Sequence, residues 1–342
     1  MKKIFGVFLC FCIALPAWYL GRIFPLFGGP IAAIFAGIIL SFFLPNLLKH
    51  QLIKGFSFDE GVKYTSKKLL QYSIVLLGFG MNLFNILEVG GMSLIVMAFA
   101  FVTVFIAAFC LGRMLKLSGD TTTLIGVGTS ICGGSAIAAI APVIRAKDDD
   151  VTRAISTIFL FNVIAVLVFP ALGHAAGMND TIFGIWAGAA INDTSSVVAA
   201  GTIWSVAAGD NTALNVATIV KLTRTLMIIP IALFLALYTA NKLKDKEAGK
   251  LNFAKIFPWF ILFFVAAAIV NTFLGLPAGI SSFLVQIGKF VIIMAMAGIG
   301  LNTNLRSLFS SGIKPVFLGF ICWAAIALVS IAVLTFAPWQ LG

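Results

Sequence analysis

The sequence predicts an all-α, polytopic membrane protein, and three observations support this fold class. Of the 342 residues, 61% are hydrophobic and 10% are charged, and the mean hydropathy is +1.10. Soluble globular proteins carry about 25% charged residues, so the composition excludes that class. The apolar residues fall in about eleven runs that are long enough to cross a bilayer, which takes roughly twenty residues each. Two of these runs are interrupted by polar residues and glycines, which indicates a functional site inside the membrane.

The expected membrane segments are spread over the whole chain, with polar loops between them. They lie near residues 4–25, 30–46, 69–88, 91–112, 122–144, 154–173, 181–204, 213–240, 254–275, 281–302 and 314–338. The longest polar stretches, 46–70 and 241–256, are predicted to be loops. No soluble domain fits between the segments.

Loop charges predict the orientation, because Lys and Arg accumulate on the cytoplasmic side of membrane proteins. Most basic residues lie in one set of loops: Lys2, Lys3, Lys49, Lys54, Lys63, Lys67, Lys68, Arg113, Lys116, the stretch 242–255, Arg306 and Lys314. The N-terminus is therefore predicted to be cytoplasmic. The loop 145–153 (RAKDDDVTR) does not fit this pattern, because a simple count of eleven segments places its three basic residues outside. It returns to the cytoplasm if segments 122–144 and 181–204 are re-entrant hairpins. The net charge of +11 is thereby explained by orientation, and no nucleic-acid partner is expected.

The stretch 188–200, GAAINDTSSVVAA, differs most from ordinary membrane-spanning sequence. Its centre is a run of five polar residues with small apolar residues on both sides: Asn192, Asp193, Thr194, Ser195 and Ser196. A carboxylate at bilayer depth costs roughly 2.5 to 3.5 kcal/mol. Asp193 is therefore expected to have a partner, a proton or water.

A related stretch lies sixty residues earlier. GTSICGGSAIAAI, from Gly128, aligns with GAAINDTSSVVAA, from Gly188, and the same offset places Pro170 on Pro230. Glycines and small residues allow the backbone to leave the helix where it lines a protein cavity. Both stretches are predicted to be interrupted helices or re-entrant hairpins that meet near the bilayer midplane. The alternative is that both are ordinary helix-packing faces of small residues.

A second pair of similar sequence segments, in addition to the pair sixty residues apart, favours an internally duplicated architecture. GFGMN at 78–82 resembles GIGLN at 298–302, on two segments expected to run in opposite directions. Inverted repeats with interrupted helices are typical of secondary transporters. The predicted division is an extra N-terminal helix (1–28), a first half (29–175) and a second half (180–340).

Three basic residues lie inside expected segments: Lys221, Arg224 and Lys289. On a helix, Lys221 and Arg224 share one polar side. An Arg fork and a Lys charge suit a small anion. The alternative is a structural ion pair between Asp193 and one of the two cations. Lys289 is closer to a segment end, where its ammonium group can reach the surface.

The remaining candidate residues belong to the two interrupted stretches. The predicted substrate-binding set is Lys221, Arg224, Ser130, Gly133, Gly134, Ser135, Thr194 and Ser195, and the predicted coupling-ion set is Asn192 and Asp193. The coupling ion is expected to be Na⁺ or H⁺, with a Na⁺ site near Asp193 the one metal considered. No catalytic triad, zinc site or phosphate loop is present in the sequence, so an enzyme is not expected.

These motifs resemble the YeiH family of bacterial inner-membrane proteins, also called the putative sulfate exporter family. The resemblance rests on GTSICGGSAIAA at 128–139, VVAAG at 197–201 and VKLTR at 220–224, and it covers nearly the whole chain. It implies kinship with bile acid:sodium symporters and cation/proton antiporters, with inverted repeats, a panel and a core domain, crossing interrupted helices and elevator-like motion. Family members commonly carry a His before the acid, whereas this chain has Asn192. The absence of this His removes the group best suited to titrate near neutral pH, which favours Na⁺ coupling over proton coupling at this position.

The leading functional hypothesis is a secondary transporter of a small anion of the sulfate, sulfonate or carboxylate type. Its expected location is the bacterial inner membrane, its partners are the solute and the bilayer, and the composition is compatible with a homodimer. A cation (Na⁺)/proton antiporter is the alternative. A membrane scaffold or sensor that transports nothing is the third hypothesis.

Overall fold

The computed structural model describes residues 3–23, 28–43, 58–243, 258–303 and 312–336, and these ranges are helical without a β-strand. The helices are α1 (Ile4–Ile23), α2 (Gly28–Phe43), α3 (Phe58–Tyr64), α4 (Leu70–Gly78), α5 (Leu83–Met114), α6 (Gly119–Ser130), α7 (Gly134–Ile144), α8 (Asp148–Ala175), α9 (Asp180–Ala190), α10 (Thr194–Ala208), α11 (Thr212–Leu226), α12 (Ile228–Leu243), α13 (Phe260–Leu274), α14 (Ala278–Asn302) and α15 (Ile313–Phe336). The predicted loop residues at 44–57 and 244–257, and Arg306, lie outside the described residues.

Six stretches of the described chain are long and apolar enough to cross a membrane. They are Ile4–Ile23, Leu83–Met114, Asp148–Ala175, Thr212–Thr239, Ala278–Asn302 and Ile313–Phe336, and shorter apolar helices accompany them. The stretch from Thr212 joins α11 and α12, which separate at Met227. Pro230 explains this break, because it has no N–H to bond back to the previous turn. The polytopic membrane fold is thus confirmed, and the count of eleven segments stays a prediction.

The predicted boundary between the third and fourth segments is wrong. The sequence places a segment at 69–88, but α4 ends at Gly78 and α5 starts after Asn82, whose side chain accepts a hydrogen bond from the N–H of Phe84 (2.8 Å). The preceding helix begins at Phe58, within the stretch predicted to be a loop, and a π-helical turn (Thr65–Leu69) joins α3 to α4. This helix has exposed lysines on one side and a buried polar Thr65 on the other, so a search for apolar runs misses it.

The first interrupted segment is a re-entrant hairpin, here called hairpin 1, made of α6, a tip at residues 131–133, and α7. At the open end, Asp150 of α8 accepts hydrogen bonds from the hydroxyls of Ser118 (2.8 Å) and Thr121 (2.6 Å), which begin α6. The chain that leaves α7 has therefore returned to the face from which α6 started. A hairpin, and not a helix that continues through the membrane, explains this contact.

The second interrupted segment is also a hairpin, here called hairpin 2, made of α9, a tip at residues 191–193, and α10. The indole N–H of Trp204, on α10, donates to the Asp180 carboxylate at the start of α9 (2.6 Å). The Trp204 ring also stacks on Phe183, with ring centroids 4.0 Å apart. Residues more than twenty positions apart in the chain thus meet at the open end of the hairpin.

The two hairpins enter from opposite faces of the membrane. Helix α8 connects their open ends, because Asp150 at its start contacts hairpin 1 and His174 at its end stacks on Trp204 of hairpin 2 (3.9 Å). The twelve residues of α6 rise about 18 Å, somewhat more than half of a hydrocarbon core of about 30 Å. The tips therefore lie in the membrane interior.

This arrangement gives the sixty-residue echo a structural meaning. Hairpin 1 followed by α8 and hairpin 2 followed by α11 and α12 have the same order of elements and opposite directions. The sequence left interrupted helices and re-entrant hairpins open, and the structure has hairpins. The crossing interrupted helices that the family resemblance implies stay a prediction. The larger halves (29–175 and 180–340), and the panel and core division with elevator motion, stay predictions.

Aromatic side chains pack hairpin 2 against its neighbours. Trp186 of α9 stacks on Phe169 of α8 (4.2 Å), and Trp323 of α15 stacks on Phe161 of α8 (5.4 Å). Trp186 and Phe169 belong to one buried core that also includes Ile131, Cys132 and Ile191 of the two tips, and Trp323 packs against this core. The site formed by the tips is thus enclosed by packed, buried side chains.

Candidate functional site

The tips of the two hairpins touch each other. A Cβ atom built on Gly133 would lie 3.2 Å from the Cβ of Asp193 and 3.5 Å from the amide nitrogen of Asn162. Gly133 has φ +70° and ψ −136°, a region that is open almost only to glycine. The predicted helix break at Gly133 is therefore present, and the missing side chain allows the tips to meet.

Arg224 of α11 is fully buried between the tips and donates to backbone carbonyls of both hairpins. On hairpin 1 its Nε donates to the Ser130 carbonyl (2.6 Å) and its Nη2 to the Thr129 carbonyl. On hairpin 2 its Nη1 donates to the carbonyls of Ala189 and Ile191 (3.2 Å to Ile191). The guanidinium group thus clamps the ends of α6 and α9 together.

Lys221, one helical turn earlier, joins the same two tips. Its ammonium group is fully buried and donates to the carbonyls of Ile131 (2.8 Å), Ile191 (3.0 Å) and Asn192 (2.5 Å). An ammonium group has three donors, and these three contacts use all of them. The predicted polar side of α11 is therefore correct in position, and the immediate acceptors of its cations are backbone oxygens.

Helix ends explain why the cations lie here. Helices α6 and α9 both end at the tips, so their free carbonyls place partial negative charge there. Helices α7 and α10 both begin at the tips and bring partial positive charge from their free N–H groups. The helix-end charges roughly cancel, which leaves two buried cations against the one carboxylate of Asp193 within the described part of the site.

Asp193 is the N-cap of α10. Its carboxylate accepts hydrogen bonds from the backbone N–H (3.0 Å) and the hydroxyl of Ser195, and its own N–H donates to the side-chain oxygen of Asn162 (3.2 Å). An aspartate at this position satisfies free N–H groups of the first turn. Asp193 is half-buried, so part of its carboxylate remains accessible.

The ion-pair alternative is contradicted by these contacts. No carboxylate oxygen of Asp193 lies within 4 Å of a side-chain nitrogen of Lys221 or Arg224. Lys221 and Arg224 contact carbonyls, and Asp193 contacts Ser195 and Asn162. A structural salt bridge therefore does not explain the buried charges.

The other predicted residues surround the tips. The Ser135 side chain is exposed, and its hydroxyl donates to the Cys132 carbonyl (2.8 Å). Gly134 faces open space, because a Cβ built there would meet nothing within 4 Å. Thr194 is half-buried at the start of α10. Both α7 and α10 thus begin beside accessible space, while the role of these residues in binding stays a prediction.

Two buried side chains near the tips have no hydrogen-bond partner among the described residues. They are the amide group of Asn192, with both its oxygen and its nitrogen, and the hydroxyl group of Thr129. A buried polar group without a partner costs about 1 to 3 kcal/mol. Such a cost at Asn192, within a tip, fits a group that contacts a polar ligand during function.

Sequence reasoning missed Asn162 and left Lys289 open. Asn162 is a single polar residue in the apolar run of α8, and this isolation was the signal that could have identified it. Lys289 of α14 donates to the side-chain oxygen of Asn211 (2.5 Å), in the loop between α10 and α11. It therefore lies beside the loop that follows the open end of hairpin 2 and not at the tips.

Comparisons with known proteins identify relatives along almost the whole chain. A family model described as "Conserved hypothetical protein 698" matches residues 5–319. The chain is 48% identical to the UPF0324 membrane protein FN0533 of Fusobacterium nucleatum, over 96% of this chain and 97% of the relative. The chain belongs to the UPF0324 membrane protein family. It is also 49% identical to UPF0324 membrane protein spyM18_1033 of Streptococcus pyogenes, over 97% of this chain and 96% of that relative.

The UPF0324 membrane proteins and the YeiH family of the sequence motifs are the same family. No solved structure matches the chain. The kinship with bile acid:sodium symporters and cation/proton antiporters stays a prediction, as do the inner-membrane location and the cytoplasmic N-terminus.

Proposed function

We propose that this protein is a secondary transporter of a small anion, of the sulfate, sulfonate or carboxylate type, which works by alternating access. One observation carries the proposal. Two re-entrant hairpins from opposite faces meet tip to tip around two fully buried cations, and the described part of the site has one carboxylate against them. Buried charges inside a membrane protein usually mark a path for substrate or ions.

The positions of the hydrogen-bond donors suggest how the anion binds. Lys221 and Arg224 direct their N–H groups to the tip carbonyls, so they act on the anion mainly through their charge. Direct hydrogen bonds to the anion come from the start of α7 at Gly134 and Ser135, and from the hydroxyl of Thr194. The Ser195 hydroxyl donates to Asp193, so it takes part only when that hydrogen bond is exchanged for one to the anion. Free N–H groups at helix N-termini favour oxyanions.

The opposite directions of the hairpins support alternating access. Each hairpin separates the tips from one face of the membrane, so movement of one hairpin opens the site to that face. Asp193 and Asn192 are the groups in position to take a coupling ion. Asp193 has the carboxylate, and Asn192 has a buried amide without a partner among the described residues.

The first test is the thermal stability of the purified protein with a panel of anions, each supplied as the Na⁺ and the K⁺ salt at two pH values. A ligand of the folded state raises the melting temperature by mass action. We expect one anion class to stabilise the protein. The decisive variant is Ser135→Ala, because this exposed side chain can be removed at the loss of its hydrogen bond to Cys132 while the contacts of Lys221 and Arg224 stay in place, and Ser282→Ala on an exposed position of α14 is the matched control.

Reconstituted vesicles distinguish the remaining hypotheses. Uptake of the stabilising anion, weakened in Ser135→Ala and unchanged in Ser282→Ala, supports anion transport. The single carboxylate in the described part of the tips favours a cation/proton antiporter as the second candidate. Na⁺ flux that depends on pH and not on anions, and that is lost in Asp193→Asn, would establish it. Binding without any solute flux would support a scaffold or sensor.

A further inference from the structure

The carbonyl oxygens around the Lys221 ammonium group are arranged like the ligands of a bound metal cation. Three carbonyl oxygens from two separate chain segments surround its ammonium nitrogen at 2.5 to 3.0 Å. In secondary transporters, carbonyls of unwound helix segments and helix C-terminal ends coordinate the coupling Na⁺. Here the same kind of oxygens, at the ends of α6 and α9, hold a side chain that cannot leave.

Arg224 repeats this pattern one turn further along α11. It donates to two carbonyls of hairpin 1 and two of hairpin 2. The six carbonyl-bearing residues that the two cations bind are Thr129, Ser130, Ile131, Ala189, Ile191 and Asn192. Together the cations satisfy the negative ends of both hairpins.

We propose that Lys221 and Arg224 are tethered cations that occupy the carbonyl positions where a coupling Na⁺ would otherwise bind, so that transport does not require Na⁺. The transport part of this inference rests on the proposed function. Asp193 is then the group at the site that can bind a coupling proton. The sequence favoured Na⁺ because this chain lacks the family histidine. With the two tethered cations in place, no Na⁺ is needed at the tips.

The tether has two consequences for the transport cycle. An inorganic cation can dissociate and release the hairpins, whereas the Lys221 ammonium group is covalently part of α11 and holds the tips of both hairpins through three carbonyls. The cations also remain with the protein when the anion leaves. The unloaded site therefore keeps its positive charge and is ready for another anion, which favours exchange of one anion for another.

The first experiment measures stability and does not depend on transport. Lys221→Ala leaves three carbonyls without a donor, and we expect its melting temperature to fall by about 5 °C or more. Methylammonium fits the space left by the lysine head and should restore much of the loss. Lys289→Ala is the matched control, because it removes a lysine of a membrane helix that lies away from the tips, and methylammonium should not stabilise it.

A parallel pair tests the second cation. Arg224→Ala should be stabilised by guanidinium at concentrations too low to denature the wild type, and Lys289→Ala should not respond. If neither methylammonium nor guanidinium stabilises its matching variant more than Lys289→Ala, the cation-site interpretation is overturned. A Lys221→Ala chain that cannot be purified even when methylammonium is present throughout overturns it as well.

The second experiment uses the wild type in vesicles. Anion uptake should be unchanged when Na⁺ is replaced by K⁺ or choline on both sides, and a requirement for Na⁺ would overturn the proposal. Failure of the proposed function gives a different result, since no anion would then be taken up under any condition. The stability rescue would still show whether the tips hold tethered cations.

Discussion

Gly133 of hairpin 1 lies directly against Asp193 of hairpin 2, so that a Cβ atom on the glycine would come within 3.2 Å of the aspartate Cβ. The two residues belong to hairpins that enter the membrane from opposite faces. Their contact closes the site at its centre, and it exists because residue 133 has no side chain.

We predict that Gly133→Ala destabilises the protein by about 1 to 3 kcal/mol, because its backbone conformation is costly for any other residue. Gly134→Ala is the matched control. Its Cβ would meet open space at the start of α7, so its effect should stay within about 0.5 kcal/mol. Thermal unfolding in detergent measures both. Equal stability of the two variants would contradict the tip contact.

We predict that Asp150 stabilises hairpin 1 by fastening the start of α6 to the start of α8. Asp150→Ala removes a buried carboxylate that accepts from Ser118 and Thr121, and hydrogen bonds to charged groups contribute about 1.5 to 3 kcal/mol each. Asp149→Ala removes the neighbouring exposed carboxylate and should cost less than about 1 kcal/mol. A chemical unfolding curve for each variant makes the comparison, and a smaller loss in Asp150→Ala than in Asp149→Ala would refute it.

The hairpin topology can be tested by labelling single cysteines on a background without the five native ones. Lys116→Cys and Lys147→Cys flank hairpin 1 and should react with an impermeant thiol reagent from the same side of the membrane. Asn179→Cys and Asp210→Cys flank hairpin 2 and should react from the other side. If residues 116 and 147 label from opposite sides, segment 122–144 crosses the membrane and the hairpin is wrong.

Asn192 is predicted to serve function at the expense of stability. Its buried amide has no partner within the described chain, so Asn192→Leu should leave the melting temperature unchanged or raise it. The same variant should weaken anion binding or transport about tenfold, equivalent to ~1.4 kcal/mol. Asn162→Leu is the comparison, because Asn162 accepts a hydrogen bond from Asp193 and its loss should lower stability. A destabilised Asn192→Leu would show that the amide has a structural partner.

Much of the site could be predicted from the sequence. The sixty-residue echo identified both tips, and the polar side of α11 identified Lys221 and Arg224, because these patterns follow from helix geometry. The acceptors of the two cations could not be predicted. Backbone carbonyls are common to all residues, so no side-chain pattern shows which of them a buried cation binds.

The direction in which the chain continues after each tip also could not be predicted from the sequence. A helix that continues after Gly133 and one that turns back need the same glycines and small residues, so composition alone does not separate them. Only the charges of loop 145–153 favoured hairpins. The helix from Phe58 was missed for a related reason, since its lysines belong to an exposed side of a helix and resemble those of a loop.

The stack around Trp204 has a practical consequence. Its indole lies between His174 at the end of α8 and Phe183 of α9, with ring centroids 3.9 and 4.0 Å away. Trp186 and Trp323 stack on α8 nearby, so three of the six tryptophans of the chain report on this region. Indole emission changes with ring contacts and with access of water. If hairpin 2 moves as the proposed function requires, the natural fluorescence of the unlabelled protein should therefore follow that movement in real time.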